Sequence, residues 1–294
     1  VPDSWDSWNL DADIADKWRD CAKLLSRSVV SCGAVELRIR SEYQLTKKSS
    51  LQQDMVFYSK DRKIGFETVM NWQDDHRFLK AAFDTSVQSR FARNEVQFGY
   101  IERATYRNTS WEKAKFEVSN HKYTDLSEPG YGVAVLNDCK YGVSVENGRI
   151  WLSLHKGGCR PDYRGDKGIH ECTYALLPHN SGFGAEAVVQ PAYELNIAPI
   201  VMPGKKELES FVTVDAPNVI VEAVKPMEDG NGYALRLYEA EGTSVRTKIH
   251  LTETGEKVML TNLLEEEIET LPDEKEIALE FKPFEIKTIC VLMK

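Results

Sequence analysis

The chain has 294 residues, with 42% apolar and 28% charged content and a formal net charge of −9. That composition belongs to a folded globular protein and excludes a disordered or collagen-like polymer. Acidic residues run along the whole length, which would repel a phosphate backbone and excludes nucleic acid as a partner, and no apolar run is long enough to cross a bilayer, so no membrane partner is expected.

In chain order, Ile14–Leu25 predicts a short helix, with Trp18, Cys21 and Leu25 roughly on one side despite the crowding of Asp11, Asp13, Asp16 and Asp20. From Val35 the period changes to two: Val35, Leu37 and Ile39 alternate with Glu36, Arg38 and Arg40. Residues 55–59, 65–72, 96–101 and 131–136 are further strand candidates. Residues 149–154 follow, where Ile150, Leu152 and Leu154 alternate with Arg149, Trp151 and Ser153. Asn147-Gly148 reads as the hairpin turn before them, since both residues tolerate positive φ. Residues 173–177, 219–224 and 233–238 continue the series, with a turn at Asp229-Gly230-Asn231-Gly232, and Ile277, Leu279 and Phe281 alternate near the end. Many short strands, with turn signals about every 8–12 residues, predict an all-β chain of antiparallel sandwiches. Pro199, Pro203, Gly204, Lys205 and Lys206 mark a break. The expected organisation is an opening segment (residues 1–25), a large β-domain (26–203) and a smaller β-sandwich (210–294).

Six scattered cysteines with no C-x-x-C pair exclude a zinc knuckle and argue against a disulfide framework. Free thiols in a reducing compartment give a cytoplasmic location, in which the sequon Asn108-Thr109-Ser110 would be inert. Lys47-Lys48 and Lys205-Lys206 read as solvated loops. The absence of an initiator Met before Val1-Pro2 is expected of a fragment or a processed chain.

No motif supplies a catalytic group. H-E-x-x-H, the G-x-S-x-G elbow, the Walker loop and G-x-G-x-x-G are all missing. His170 and His179 are nine residues apart and would face opposite sides of one strand, and Asp74-Asp75-His76 reads as a turn, so no metal ligands are assigned. Sugar recognition is more legible. Hydroxyl pairs are bound by charged and amide side chains beside an aromatic face. Asn137, Asp138, Lys140, Tyr141, Asp162, His170 and Tyr174 meet that description, against the alternative that they build tight turns and strand caps.

Several words of this sequence carry a resemblance: residues 94–100 (NEVQFGY), 107–111 (RNTSW), 115–118 (KFEV), 125–132 (DLSEPGYG), 136–142 (LNDCKYG) and 174–179 (YALLPH), with Trp5-Asp6-Ser7-Trp8 ahead of them and Arg236-Leu237-Tyr238-Glu239 behind. At these residues the chain resembles glycoside hydrolase family 38, the zinc-dependent α-mannosidases, in its bacterial and fungal cytosolic or vacuolar branch. The resemblance implies a large antiparallel supersandwich of the galactose-mutarotase type followed by a small β-sandwich. Together these would be the carboxyl-terminal part of a retaining hydrolase acting on mannosides. Zinc, the aspartate nucleophile and the acid/base carboxyl would lie on an amino-terminal catalytic domain, a partner that packs on Arg107, Asn108 and Trp111. That face is expected to be apolar or polar-unsatisfied in its absence. The family has His at Tyr106, Phe at Cys172, and Leu-Leu-Arg-Ser-Pro at Leu154-His155-Lys156-Gly157-Gly158. Its arginine is expected to point toward the active site, so Lys156 joins the substrate-proximal group with its charge kept and its bidentate fork lost. A stand-alone carbohydrate-binding module is the alternative, and self-association into a homo-oligomer stays open.

Overall fold

The computed structural model describes residues 5–204 and 209–293; Lys205-Lys206, read above as a loop, lies outside them. The strands of the first part are β1 (Lys23–Cys32), β2 (Glu36–Gln44), β3 (Ser50–Tyr58), β4 (Ile64–Trp72), β5 (Arg77–Asp84), β6 (Phe91–Val96), β7 (Gly99–Ala104), β8 (Val118–Ser119), β9 (Tyr123–Glu128), β10 (Tyr131–Asn137), β11 (Gly142–Glu146), β12 (Arg149–Gly157) and β13 (Gly168–His179). Two short helices accompany them, α1 (Ser110–Ala114) and α2 (Gln190–Asn196). The remainder contributes β14 (Val212–Val214), β15 (Val219–Pro226), β16 (Gly232–Glu239), β17 (Val245–Leu251), β18 (Lys257–Thr261), β19 (Glu267–Leu271), β20 (Glu276–Phe281) and β21 (Ile286–Leu292). The all-β class expected from the alternation is what the chain adopts.

The chain divides into two compact units, one of residues 1–95, 101–183 and 191–197, the other of residues 96–100, 184–190 and 198–294. In the first, a nine-stranded sheet in the order β1-β2-β3-β4-β13-β10-β9-β6-β7 packs against a four-stranded sheet, β5-β12-β11-β8. Met70, Trp72, Leu126, Val133 and Val135 from the larger sheet meet Leu79, Val143, Ile150 and Leu152 from the smaller one. Each such side chain contributes about 1.5–3 kcal/mol by leaving water. In the second unit, β14-β17-β20 and β15-β16-β21-β18-β19 form a smaller sandwich, with Ile249, Leu251, Ile277 and Phe281 opposite Leu235, Leu237, Ile289 and Val291.

Two expectations fail for local reasons. The helix over Ile14–Leu25 is replaced by a 3-10 turn at Ala12–Asp16 and then by β1. Its supposed apolar face has no core to bury against: Trp18 and Leu25 are exposed, and Trp18 lies on the Arg149 guanidinium at 5.5 Å. The single strand over residues 96–101 is a hairpin, because Phe98 takes a left-handed backbone (φ 61°) and reverses the chain between β6 and β7. Within the second unit, the Phe98 ring meets Tyr238 edge-on at 5.6 Å. The turn at Asn147-Gly148 forms as expected, both residues having positive φ.

The resemblance word at Arg236–Glu239 has a structural basis. Glu239 is fully buried, and its carboxylate accepts from the backbone N–H of Glu241, Gly242, Thr243 and Phe284 and from Asn218 Nδ2. A buried carboxylate with this many donors is stabilised rather than penalised.

On one face of β2, β3 and β4 the charged partners of the apolar alternation form a ladder. Arg40 donates two bonds of 2.8 Å to Asp54, and Arg38 bridges Asp54, Glu36 and Glu67. The fork from Arg40 outweighs burial and, with Arg38, holds the Asp54 carboxyl below its ordinary value of 3.8. A carboxylate depressed in this way adds stability that is complete above its unfolded pKa and is lost as pH falls through the folded one. Asp54→Asn is therefore expected to cost about 1–3 kcal/mol at pH 7 and to flatten the further loss between about pH 4 and pH 2. Urea unfolding at both ends of that range checks it, and equal acid losses in variant and parent would contradict it.

Candidate functional site

At one end of the first sandwich, β12 carries an extra residue. Its register to β5 slips between Ser153 and His155, so that His155 stands opposite the core residue Leu79. This bulge buries two successive side chains, Leu154 and His155. His155 packs against Trp72, 4.9 Å between ring centroids, and His170, 4.2 Å. Burial, then the neighbouring His170 and Lys140, push its pKa down to about 4, so the ring is neutral at pH 7. Among the described residues its Nε2 has no hydrogen-bond partner. Lys156, next in the chain, is half-buried, and its Nζ donates to the Asn9 carbonyl at 3.2 Å. Burial lowers its pKa, while Asp6 and then Asp166 pull the other way.

The segment around Asp6 closes over this end. Asp6 is 1% exposed. Its Oδ1 accepts from the N–H of Cys159 (2.9 Å) and Arg160 (2.8 Å), and its Oδ2 faces His76 Nδ1 at 2.5 Å. Ser7 N donates to the Arg160 carbonyl at 2.9 Å. Close approach of two backbones requires small residues, and here they are Gly157 and Gly158. A Cβ on Gly158 would lie 2.5 Å from Ser7 Cα and 2.7 Å from the Asp6 carbonyl, and one on Gly157 would collide with Asp74 and Trp72. Beside this contact the rings of Trp5 and Trp8 stack at 5.6 Å, both largely exposed.

The sugar-oriented residues divide into two groups. Asn137 is fully buried. Its Nδ2 donates to Asn120 Oδ1 and the His121 carbonyl, and its Oδ1 accepts from Lys140 N. It builds the turn after β10 and leaves no free group for a ligand. Tyr174 is a core residue, stacked on Phe66 at 5.2 Å, with its hydroxyl accepting from Gln53 Nε2 at 2.7 Å. In both residues the side-chain polar groups are engaged within the chain. Asp138 Oδ2 accepts from Thr173 N, whereas its Oδ1 is buried and without a partner among the described residues. Asp162 caps an exposed turn by accepting from Arg164 N at 3.0 Å. His170 is held by the Asp166 carbonyl at 2.7 Å. Tyr141 is half exposed, its ring against His121 at 4.8 Å. His170 and Lys140 act on His155, which sequence reasoning did not single out; a lone histidine in an apolar strand gives no signal of its own.

Arg107, Asn108 and Trp111 frame α1. Thr109 and Glu112 form a capping box: Glu112 N donates to Thr109 Oγ1, and Glu112 Oε2 accepts from Asn108 N and Thr109 N. Arg107 pairs with Glu146 at 3.4 Å. The expectation of unsatisfied polar groups is not met on these residues, since they are bonded within the chain. Trp111, 80% exposed, is the apolar feature of that face. All six cysteines are free thiols. No helix among the described residues is long and apolar enough to cross a membrane. A shallow hollow in the second unit, lined by Asp215, Arg246, Lys248 and Glu280, carries residues that are already ion-paired, Arg246 to Glu280 and Lys248 to Glu276.

Residues 1–164 match the family model described as "Glycosyl hydrolases family 38 C-terminal domain", and residues 218–289 match "Glycosyl hydrolases family 38 C-terminal beta sandwich domain". The chain belongs to glycoside hydrolase family 38, in its carboxyl-terminal region. It is 36% identical over its whole length to Alpha-mannosidase 2C1 of Homo sapiens, covering 29% of that protein. It is 30% identical over 97% of its length to Alpha-mannosidase of Saccharomyces cerevisiae, again covering 29%. The chain thus spans under a third of the curated relatives it matches. Its fold is shared with the solved structure of an alpha-mannosidase from Enterococcus faecalis V583, with a TM-score of 0.77 at 16% identity over 92% of this chain and 35% of that one.

In this family 38 region, the contact at Gly158 is open to direct test. Gly158→Ala is expected to dislodge residues 5–9 and lower stability by about 2 kcal/mol. The readout is faster amide exchange at Ser7 together with altered fluorescence from the Trp5–Trp8 pair. Unchanged exchange at Ser7 would count against the packing described.

Proposed function

We propose that this chain is the carboxyl-terminal β-region of a cytoplasmic, zinc-dependent, retaining α-mannosidase, that it shapes the rim of the active site, and that it is inactive alone. The observation that carries the reading is the family 38 match, with relatives named alpha-mannosidases of which this chain covers about 29%. On this reading the nucleophile and the acid/base carboxyl belong to polypeptide outside these residues, as does the zinc. When bound, zinc supplies Lewis-acid contact to sugar hydroxyls. The sugar-oriented residues of this chain do not fit that ion. They offer one imidazole and two carboxylates; His170 Nε2 is engaged with Asp166, Asp138 Oδ2 with Thr173, and Asp162 Oδ1 with Arg164. No step is assigned to zinc on them.

The work of this chain is binding and orientation. Lys156, at the end of the bulged strand, offers a point charge and N–H donors to a sugar hydroxyl, without the planar fork of an arginine. The Trp5–Trp8 pair and the Tyr141 ring offer flat apolar faces of the kind that cover one side of a pyranose. Neutral His155, with His170 against it, lends an uncharged polar wall. Trp111 supplies an aromatic anchor for the catalytic domain.

The 294-residue chain alone is expected to leave an aryl α-mannoside uncleaved, with or without added zinc; metal-dependent turnover by the purified chain would overturn this reading. In the longer enzyme, Lys156→Ala is expected to raise KM about tenfold, equivalent to about 1.4 kcal/mol, with kcat changed much less. An unaltered KM would remove Lys156 from the rim.

A further inference from the structure

Asp6, His76 and Cys159 bring a carboxylate oxygen, an imidazole nitrogen and a thiol sulfur within 4.8 Å of one another. We infer that these three side chains form a binding site for a divalent transition metal ion of the zinc type.

The three donors come from segments far apart in the chain. Asp6 lies before the first strand, His76 in the β4–β5 turn and Cys159 just beyond β12. Their meeting depends on Gly157 and Gly158, which let the backbones of Asp74 and of Asp6-Ser7 approach. It also depends on His76 holding a left-handed backbone (φ 53°), with its N–H donating to the Gly157 carbonyl at 2.7 Å. That conformation is disfavoured for a residue with a Cβ, and here it carries the imidazole to Asp6.

The carboxylate is oriented as a ligating carboxylate is in metal sites. Two backbone N–H groups fix Asp6 Oδ1, which leaves Oδ2 turned toward the imidazole. Asp75 accepts from the Cys159 thiol at 3.1 Å and is itself held by Lys167 at 2.6 Å; it stands outside the three donors, and its hydrogen bond is given up when the thiol loses its proton. The His76 ring is exposed, which gives an ion a way in and leaves a water position.

The chemistry of the donors selects the ion. Calcium and magnesium take oxygen ligands, whereas a set of sulfur, nitrogen and oxygen suits zinc. Bond lengths of about 2.0–2.3 Å place neighbouring donors of a tetrahedral ion roughly 3.3–3.7 Å apart. The His76–Asp6 pair, at 2.5 Å, must therefore open by about 1 Å and the widest donor separation close by about as much, changes that rotation of the exposed imidazole can contribute. On binding, the Cys159 S–H bond breaks, its proton goes to water and a sulfur–metal bond forms. His76 binds through Nδ1 as the neutral ring with its single proton on Nε2, and any second proton held between Nδ1 and Asp6 Oδ2 also goes to water.

The test is a titration of the chelator-stripped 294-residue chain with cobalt(II), followed by competition with zinc(II). One equivalent is expected to bind, with a near-ultraviolet thiolate-to-cobalt band that zinc abolishes, and bound zinc should slow alkylation of Cys159. Cys159→Ser is expected to lose the band and to weaken binding at least tenfold. His76→Ala, which removes an exposed ring, should also weaken binding at least tenfold while keeping the band. Absence of saturable uptake would overturn the inference. So would a band that survives in Cys159→Ser, because the ion would then sit on Cys21, Cys32 or Cys139.

Discussion

The extra residue in β12 is the constraint on which this end of the first sandwich depends. Without the slip between Ser153 and His155, strict alternation would send His155 outward and Lys156 inward, and an ammonium would be buried between Trp72 and the apolar core. The bulge reverses that parity for the last turn of the strand. A neutral imidazole then closes the core and the lysine reaches the opening segment. Gly157 and Gly158 follow at once, so the strand ends in the two residues that allow Asp6 to approach. Bulge, glycines and buried carboxylate form one sequence of dependencies, each useful only because the previous one holds.

Strands that bury one face were legible because their chemistry alternates. In β20, Ile277, Leu279 and Phe281 are buried while Glu276, Ala278 and Glu280 are exposed, and the sequence reads the same way. Strands buried on both faces carry no such signal. β9, reading Tyr-Thr-Asp-Leu-Ser-Glu, is buried from Tyr123 through Ser127 although three of those five residues are polar. Its polar groups are satisfied by tertiary partners: Asp125 by His179 at 2.9 Å and Ser127 at 2.7 Å, Thr124 by Asn94 at 2.9 Å. The opposite failure is β1, an edge strand exposed along nearly all its length. The helix read over Ile14–Leu25 ran into its first residues, Lys23–Leu25, where pairing to β2 decided the outcome.

The candidate site was legible in outline and ambiguous in its members. Composition finds residues able to hydrogen-bond but cannot tell whether the chain has already used them. Asn137 and Tyr174 are used up internally, while Tyr141 is half exposed and Lys156 and His170 are only partly buried. Asp6 and His76 are 70 positions apart and Asp6 and Cys159 are 153 apart. No spacing rule reaches that far, because their meeting is fixed by the ends of β4 and β12 lying next to the opening segment.

The motif words that carried the family resemblance turn out to be folding chemistry. Asp125 bonds His179 and also accepts from Ser127, joining two of the words across β9, β10 and β13. Asn137 and Asp138 tie the turn after β10, Thr109 and Glu112 cap α1, and Glu239 binds the loop that follows it. Where such a network is buried, as at Asp125, Asn137 and Glu239, it must be complete to be tolerated, so loss of one member leaves the others unpaired. Such words identify the scaffold and are silent about what binds to it. The departures from the family pattern at Leu154–Gly158 fall at the end of the bulged strand, where Lys156 emerges from the packed core. A substitution at Lys156 changes what the scaffold presents without entering the close contacts at Gly157 and Gly158.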